Sequence, residues 1–493
     1  MRRALPAAVL AAMLAAVTVL LSACAVGPDF VPPPPPAVRT YDTGAPPGDG
    51  TGKAAAVSGG ARTAVGADVP AQWWQLFRAP ALDQTLRLAL ADNPTLEAAN
   101  ATLAAAREAI IVARAGFLPQ LGASAGVQRS GTSLGGSAGA AVPARDSSLY
   151  SVGLTAGYSF DAFGGATRRL VEQQRSLAEE QRYQLAAAYL SLTGNVVSEV
   201  LTIASTRAQL SATQDLLADD QKNLDLTQRE FEVGAAARTD VLTAQSQLAS
   251  DQTELPSLQQ QLAQARHALA ILVGKAPAEW SAPDYELQRF TLPSSLPLSL
   301  PSALVRQRPD ILASEAQLHA DSAAVGIAVA QEYPSITLSA DLTREGLGAA
   351  DLFQGMDALW DVGGALTQPL FRGGALRAQT RAARDTLRAQ AADYREVVLT
   401  AFGQVADDLR ALEHDADRVG AYQRSLAAAR ESLVLQRASY AAGKTSVLQL
   451  IDAERSYSQA LLGSVGASSQ QLQDAVQLFV ALGGGWWNSP IAH

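Results

Sequence analysis

Cysteine is almost missing from this chain of 493 residues, because Cys24 is the only one. A single cysteine cannot form an internal disulfide, even in an oxidising compartment. Aromatic residues make up only 6% of the chain, while alanine and leucine are abundant. This composition favours long helices over the core of a globular enzyme.

Signals for catalytic and cofactor sites are also scarce. The four histidines show no metal-ligand spacing, and no glycine-rich phosphate loop leads into Lys-Ser or Lys-Thr. Residues 131–135 match the hydrolase pattern G-x-S-x-G, which requires a strand-to-helix turn, but they lie in a low-complexity loop. We therefore expect no cofactor and no metal. We also expect that the chain is not an enzyme and depends on a partner for energy.

Basic clusters and later apolar runs are missing as well. Removing Arg2 and Arg3, which belong to a predicted leader, from the 38 basic residues leaves 36 against 47 acidic ones, a net charge of −11. An acidic chain without a basic cluster argues against binding to nucleic acid. No run of about 20 apolar residues follows the leader, so we expect no transmembrane helix.

The N-terminus carries a targeting signal. Two arginines precede an apolar run that ends in small residues before Cys24, as in a secretory signal peptide. The stretch looks like a bacterial lipobox, which implies cleavage before Cys24 and lipid on its thiol and new amino group. Ala25 follows, where an aspartate would have indicated retention in the inner membrane, so we expect the outer membrane. A cysteine buried in an uncleaved anchor is the alternative.

The chain contains the same structural unit twice. Matching residues lie 215 positions apart at first and 209 positions apart further along the chain. Such a duplication indicates two copies of one supersecondary unit on a shared scaffold. The matched pairs are Pro94 and Pro309, Pro119 and Pro334, Gly164 and Gly373, Gly165 and Gly374, and Gly234 and Gly443.

These features divide the chain into six segments. The Pro-, Gly- and Ala-rich stretch after the leader is typical of an extended tether, and a second proline-rich stretch separates the repeats. The predicted segments are a signal peptide at 1–23, a lipidated N-terminus and tether at 24–75, a first repeat at 76–275, a linker at 276–301, a second repeat at 302–483 and a tail at 484–493.

Each repeat is predicted to run helix, β-hairpin, long helix, return helix, with the hairpins at 118–160 and 334–371. Within 150–160 and 336–343 apolar residues alternate with small or polar ones. Alternation over about 10 residues is typical of a strand that faces lipid on one side and water on the other. A half-buried strand of a soluble sheet shows the same alternation, but the expected location in the outer membrane favours membrane strands.

The long helices carry an apolar residue at every seventh position. A sustained repeat of seven imposes left-handed supercoiling against neighbouring helices. The segment from Gly165 to Phe231 would be about 100 Å long as a helix, which suits a wide aqueous compartment better than a compact globule. The positions are Tyr189, Val196, Ile203, Leu210, Leu217, Leu224 and Phe231, and in the second repeat Val398, Val405, Leu412, Val419, Leu426, Leu433 and Tyr440.

Four membrane strands cannot close a barrel alone, because the smallest common single-chain barrel has eight. Open sheet edges are not tolerated in lipid, so other subunits must complete the barrel. Two copies would give eight strands around a filled interior, whereas three would give twelve strands and could leave a lumen.

The chain resembles the TolC-like outer membrane factors, and specifically their lipoprotein subtype, which is called NodT-like. The resemblance covers residues 17–487 and implies a mainly helical fold with membrane β-strands. It implies a homotrimer with a twelve-stranded β-barrel and long coiled-coil hairpins that form a periplasmic α-barrel. The motifs that carry it are residues 21–30, Asn93-Pro94, Arg308-Pro309-Asp310, residues 368–374 and residues 481–486.

The resemblance also implies a function and its sites. Such a channel would carry drugs and toxic compounds from an inner-membrane pump through a periplasmic adaptor, and the resemblance implies that this pump is proton-driven. The hairpin tips would dock the adaptor, although glycine is expected wherever a helix reverses. The implied residues are Cys24 for lipid, Val233, Gly234, Ala235, Ala442, Gly443 and Lys444 for docking, and Asp452, Gln449 and Asp240 for a gate. In the best-known member of the family, two rings of aspartates narrow the channel. Here Gln449 stands at one of these positions, so that ring would be uncharged.

A second function remains open from the sequence. Pump adaptors also combine a lipobox with a helical hairpin, so the chain could be a periplasmic coiled-coil adaptor of the same pump class. Such adaptors have one helical hairpin and lack two pairs of alternating strands, which makes the channel the stronger prediction.

Overall fold

The computed structural model describes residues 25–38, 40–41, 55–56, 62–132, 145–160, 163–352 and 358–488. Cys24 and the leader lie outside these ranges, as does most of the segment 131–135. The chain forms two compact units, one of residues 1–33, 103–180 and 314–394, and one of residues 34–102, 181–313 and 395–493.

The described elements follow the predicted order in both repeats. The helices are α1 (Pro80–Asp92), α2 (Pro94–Ala115), α3 (Ala166–Glu232), α4 (Arg238–Gln252), α5 (Glu254–Leu272), α6 (Pro301–Leu304), α7 (Pro309–Ala330), α8 (Ala375–Ala441) and α9 (Val447–Ala481). The strands are β1 (Ala55–Ala56), β2 (Arg62–Val65), β3 (Gln120–Thr132), β4 (Arg145–Phe160), β5 (Ser295–Leu298), β6 (Ser335–Gly346) and β7 (Leu359–Thr367).

The first unit contains a four-stranded antiparallel sheet in the order β3-β4-β6-β7. Its register places apolar residues opposite apolar ones, as in the pairs Ala123 with Leu154 and Leu154 with Leu342. Small and polar residues share the other face, for example Thr155 opposite Asp341. The alternation predicted from the sequence therefore sorts most of the sheet into one apolar and one polar face, with exceptions near the strand ends such as Arg344 opposite Val152.

The apolar face of this sheet is exposed in the single chain. Leu121 is 84% exposed, Trp360 75% and Val362 72%. A soluble protein rarely leaves so many large apolar side chains together in water. A sheet with one exposed apolar face and one polar face fits lipid on the outside and an aqueous lumen on the inside.

The second unit contains the larger part of two antiparallel helical hairpins, whose long helices α3 and α8 begin in the first unit. The helices α3 and α8 each have 67 residues, or about 100 Å at the rise of an α-helix. The apolar positions of the seven-residue repeat are buried in mid-helix, as at Val196 and Val405, both 0% exposed, and become more exposed towards the tips. The predicted supercoil seam is therefore the packed seam of the helices.

The first return helix differs from the sequence prediction, because it is two helices. It breaks at Thr253, between α4 and α5. Pro256 lies in the first turn of α5, where a proline is tolerated because that backbone N–H has no partner within the helix. The second return helix, α9, runs without a break over 35 residues.

The tether and the linker are more structured than their composition indicates. In the linker, β5 pairs in parallel with β2, which lies within the predicted tether. Trp73 and Trp74, also placed in the tether by the sequence, are buried. The ring of Trp73 stacks on Phe479 of α9 at 5.2 Å. The last residues of the predicted tether, which ends at residue 75, therefore lie in the core of the second unit.

Candidate functional site

The two hairpin tips are built in the same way. The N–H of Ala235 donates to the carbonyl of Glu230 at 2.7 Å, and that of Gly234 donates to Phe231 at 3.0 Å. At the second tip, Lys444 and Gly443 repeat these bonds at 2.9 and 2.8 Å. This pair of bonds is the Schellman motif, which ends a helix with a residue of positive φ. The glycines at both tips are therefore explained first by backbone geometry.

The tips are also exposed. Gly234 has φ +77° and Gly443 has φ +67°, and a Cβ at either position would meet no atom within 4 Å. Val233 is 80% exposed, and Ala235, Ala442 and Lys444 are exposed as well. Each tip thus presents a narrow surface of small residues that another backbone could approach closely.

The predicted gate residues lie on the return helices just beyond the tips. Asp240 accepts a hydrogen bond of 3.0 Å from the N–H of Ala237, and Gln449 accepts one of 3.4 Å from Ser446. Both side chains cap the start of their own helix. Asp452 lies one turn beyond Gln449 and is exposed. The structure thus places Gln449 and Asp452 together on α9, and Asp240 on α4.

Apolar contacts join the starts of the two return helices. Ala244 of α4 packs with Val447 and Ile451 of α9, and all three side chains are at least nine-tenths buried. Leu224 and Tyr440 pack against the same cluster. The capping residues of the two hairpins are therefore held on neighbouring elements.

An ion-pair network that the sequence analysis did not predict joins the two hairpins above the tips. Arg437 of α8 donates to Asp219 of α3 and, at 3.1 Å, to Glu454 of α9. The side chain of Glu454 is only 5% exposed, and Asn223 donates to its other oxygen. Burial raises the pKa of Glu454 more than the hydrogen bonds from Arg437 and Asn223 lower it.

A buried carboxyl group lies beside this network. Asp220 of α3 is 4% exposed. Burial, a hydrogen bond with Asp251 of α4 and the charges of Asp251, Glu454 and Asp219 raise the pKa of Asp220 to about 7. Asp220 is thus the side chain of this region that titrates nearest to neutral pH.

A further hydrogen bond links the hairpins nearer the tips. The hydroxyl of Tyr440 on α8 donates to Glu230 on α3 at 2.8 Å. Burial and this hydrogen bond both raise the pKa of Tyr440, so it remains neutral and able to donate. The contacts between the hairpins are therefore polar near the tips as well as apolar.

The described residues were also compared with the requirements of a metal site and of a membrane-spanning helix. Within the described ranges, no group of three or more His, Cys, Asp or Glu side chains could hold a metal ion. Among the described helices, α3 has one 18-residue window that is long and apolar enough to cross a membrane, but 56% of that window is buried inside the protein, as in the core helix of a soluble protein.

Comparison with known proteins agrees with this architecture. The sequence model of the family described as "Outer membrane efflux protein" matches residues 85–275 and 300–484. The chain is 32% identical over 421 residues to the pyoverdine export outer membrane protein OpmQ of Pseudomonas aeruginosa, covering 84% of this chain and 87% of that protein. It is 29% identical over 476 residues to nodulation protein T of Rhizobium leguminosarum bv. viciae, covering 96% and 93%.

A solved structure shares the whole fold. The outer-membrane channel OprN matches with a TM-score of 0.82 and 27% identity, over 94% of this chain and 100% of that one. The helical hairpins and the four-stranded sheet agree with the family match, and the similar proteins include an export outer membrane protein and an outer-membrane channel. The chain belongs to the family of outer membrane efflux proteins and is the outer-membrane component of a tripartite efflux system.

Proposed function

We propose that three copies of the chain form one closed, passive duct that carries small molecules such as drugs and toxic compounds across the periplasm and outer membrane. The observation that carries this proposal is the sheet of four strands with an exposed apolar face. Its order leaves β3 and β7 as the two edges. Lipid does not tolerate open edges, so β7 of one copy would pair with β3 of the next until twelve strands close.

The native mass of the unheated protein in detergent tests this assembly. We expect a trimer whose mobility changes on heating. A monomer or a dimer would mean that the four strands do not build a shared barrel.

The hairpin tips are proposed as the docking surface for a periplasmic adaptor, which connects the duct to an inner-membrane pump. Their support is the matching exposed geometry of Val233, Gly234 and Ala235 and of Ala442, Gly443 and Lys444. Gly234→Trp or Gly443→Trp is expected to abolish efflux while export and trimer formation persist. Loss of the trimer in both variants would contradict the assignment.

A periplasmic gate is proposed at Asp452, with Gln449 and Asp240 as weaker candidates. Three exposed Asp452 carboxylates around a threefold axis would repel each other and attract cations. Asp240 and Gln449 already cap their own helices, which gives them a second role. Asp452→Ala should raise conductance and weaken block by divalent cations in planar bilayers. Unchanged conductance and block would place the gate elsewhere.

The proposal also covers the location of the chain in the outer membrane and the energy source of its partner pump. Lipid on Cys24 would anchor the chain in the outer membrane, at about 0.8 kcal/mol per buried methylene, and mass spectrometry of the mature protein tests this. The pump is expected to be proton-driven, so an uncoupler should stop efflux through the duct. An adaptor function is not favoured, because the chain has two helical hairpins and a sheet with an exposed apolar face.

A further inference from the structure

A buried arginine holds the segment that follows Cys24. Arg169, in the first turn of α3, has a side chain only 4% exposed. Its Nε donates to the carbonyl of Val26 at 3.0 Å, and its Nη2 donates to Asp29 at 2.9 Å and to the carbonyl of Gly27 at 3.4 Å. Only Glu172, at 2.8 Å, is an acceptor from its own helix.

This distribution of acceptors is informative. A buried guanidinium group is costly unless its N–H groups are hydrogen-bonded. Three of the four acceptors of Arg169 come from residues 26–29, which lie more than 130 positions away in the sequence. The N-terminal segment therefore completes the hydrogen bonding of a charge that the rest of this unit has buried.

The backbone of the segment is also held closely. The N–H of Val26 donates to the carbonyl of Gly164 at 3.2 Å. Gly27 has φ +94°, and a Cβ there would lie 2.5 Å from the Cα of Gly326 on α7. A Cβ on Gly165 would lie 2.9 Å from Ala25. Glycines on both sides of the contact thus allow an approach that any other residue would obstruct.

An aromatic contact closes the far end of the segment. The ring of Phe30 stacks on the imidazole of His319 of α7, with 4.4 Å between centroids and 9° between planes. His319 is in turn 3.0 Å from the second carboxylate oxygen of Glu172. Glu172 therefore connects the arginine contact with the aromatic contact, and all these residues belong to the first unit.

We propose that Arg169, Gly326 and His319 form a binding site for the chain's own N-terminal peptide, residues 25–30, and that this site fixes the lipid-bearing end of the chain beside the junction of β4 and α3. The junction lies at Gly164 and Gly165, between the end of β4 at Phe160 and the start of α3 at Ala166. The anchor would then enter the membrane at the end of the strands rather than at the end of a free tether. The part concerning the anchor rests on the proposed lipidation of Cys24, whereas the peptide site does not.

Hydrogen exchange of the purified full-length protein tests the peptide site. We expect the amides of residues 26–30 to be protected, and Arg169→Gln to accelerate their exchange by about tenfold or more. The control is Arg175→Gln, which changes an exposed arginine further along the same helix and should leave exchange unchanged. Asp29→Ala removes the contact from the tether side and should also accelerate this exchange. The Asp29 side chain is 92% exposed, so the change leaves the packed core intact.

A glycine pair tests the close approach. Gly27→Ala should accelerate exchange of residues 26–30, because it adds both strain and a clash. Gly66→Ala is the control, since Gly66 also has positive φ but a Cβ there would meet nothing within 4 Å. Exchange of residues 26–30 at the rate of a free peptide in the wild type, or equal exchange in the Arg169 and Arg175 variants, would overturn the site.

The anchor is tested separately. The same exchange is measured in a Cys24→Ser protein exported with an ordinary cleavable leader, where we expect the peptide to remain bound. An absence of lipid on the wild-type protein would remove the anchor and leave the peptide site standing. With lipid present, Arg169→Gln should slow the appearance of the heat-modifiable trimer in outer-membrane vesicles, and an unchanged rate would overturn the placement of the anchor.

Discussion

The hydroxyl of Tyr440 lies 2.8 Å from the carboxylate of Glu230 and joins the two helical hairpins near their tips. The two residues are 210 positions apart and belong to equivalent regions of the two repeats. A hydrogen bond to a charged acceptor contributes about 1.5–3 kcal/mol when it is well shielded. The link therefore has the strength to bias the hairpins towards the joined arrangement.

Tyr440→Phe should loosen the hairpins, because it removes the hydroxyl and leaves the ring that packs against the clusters containing Val447 and Leu433 near the tips. We expect higher single-channel conductance in planar bilayers, with trimer mass and thermal stability almost unchanged. Tyr422→Phe on the same helix is the control, since its ring is 37% exposed. Equal conductance of the two variants would show that this hydrogen bond does not restrain the hairpins.

The tip glycines lead to a prediction about stability. Gly443 has φ +67° with open space around its Cβ position, so Gly443→Ala should destabilise the folded protein through backbone strain alone, by about 1 kcal/mol. Gly466→Ala should have the opposite sign, because Gly466 lies inside α9 with nothing within 4 Å and alanine favours a helix by about 0.5–1 kcal/mol. Thermal unfolding in detergent measures both, and a stabilising Gly443→Ala would contradict the φ argument.

Much of this fold follows from patterns of burial along the sequence. The repeat of two in β4 and the repeat of seven in α3 and α8 are direct consequences of which face of a strand or helix meets water. The tip glycines were predictable for a similar reason, because a helix that reverses needs a residue that accepts positive φ. These features are local, so one sequence is enough to predict them.

The features that the sequence did not predict depend on distant partners. Arg437 and Asp219 are 218 positions apart, and neither stands out from the charges around it. The contact of Arg169 with residues 26–29 was hidden because a proline-rich stretch predicts an extended tether whether or not it is bound. The burial of Trp73 against Phe479 was missed for the same reason.

Asp220 leads to a prediction about pH. Its pKa rises from an ordinary 3.8 to about 7 in the folded protein, first through burial and then through Asp251, Glu454 and Asp219. The folded state therefore binds this proton more tightly than the unfolded chain does. As the pH rises from about 4 to 7, the free energy of unfolding should fall, since the stabilising proton is lost.

Asp220→Asn should remove this pH dependence, because an amide cannot ionise. We expect the variant to be more stable than the wild type at pH 8, by on the order of 1 kcal/mol, and similar to it at pH 5. Arg437, which pairs with Asp219 and Glu454 next to this carboxyl group, remains charged throughout. Asp225→Asn, an exposed position on the same helix, is the control, and identical pH profiles for the two variants would contradict the assignment.

A second group of carboxyl side chains, Asp408, Asp415 and Asp474, should also lower stability as the pH rises. Burial and Asp474 raise the pKa of Asp408 to about 7 and that of Asp415 to about 6, the latter also through a hydrogen bond with Asp474. Stability should therefore still fall with rising pH in the Asp220→Asn protein, though less steeply. Adding Asp415→Asn is expected to flatten the profile further between pH 5 and 7, as measured by thermal unfolding.

In the ion-pair network of Arg437, losing one partner should destabilise the protein more than losing both. Arg437→Gln leaves Glu454 buried with only Asn223 as a donor. Breaking a buried ion pair from one side costs about 3–5 kcal/mol, but the side chain of Arg437 is 47% exposed, so solvent reduces this to about 1–3 kcal/mol. We expect lower thermal stability of the trimer at pH 8, and a smaller loss at pH 5, where Glu454, with its raised pKa, takes up a proton more readily.

The double variant Arg437→Gln with Glu454→Gln should recover most of this loss, since no buried charge then lacks its partner. Arg430→Gln, at an exposed position two turns earlier on α8, should change stability by no more than about 0.5 kcal/mol. If the double variant were as unstable as the sum of the two single variants, Arg437 and Glu454 would be acting independently. The contribution of Arg437 to the contact between the hairpins would then depend on Asp219 alone, and Asp219→Asn should reproduce the whole effect of losing Arg437.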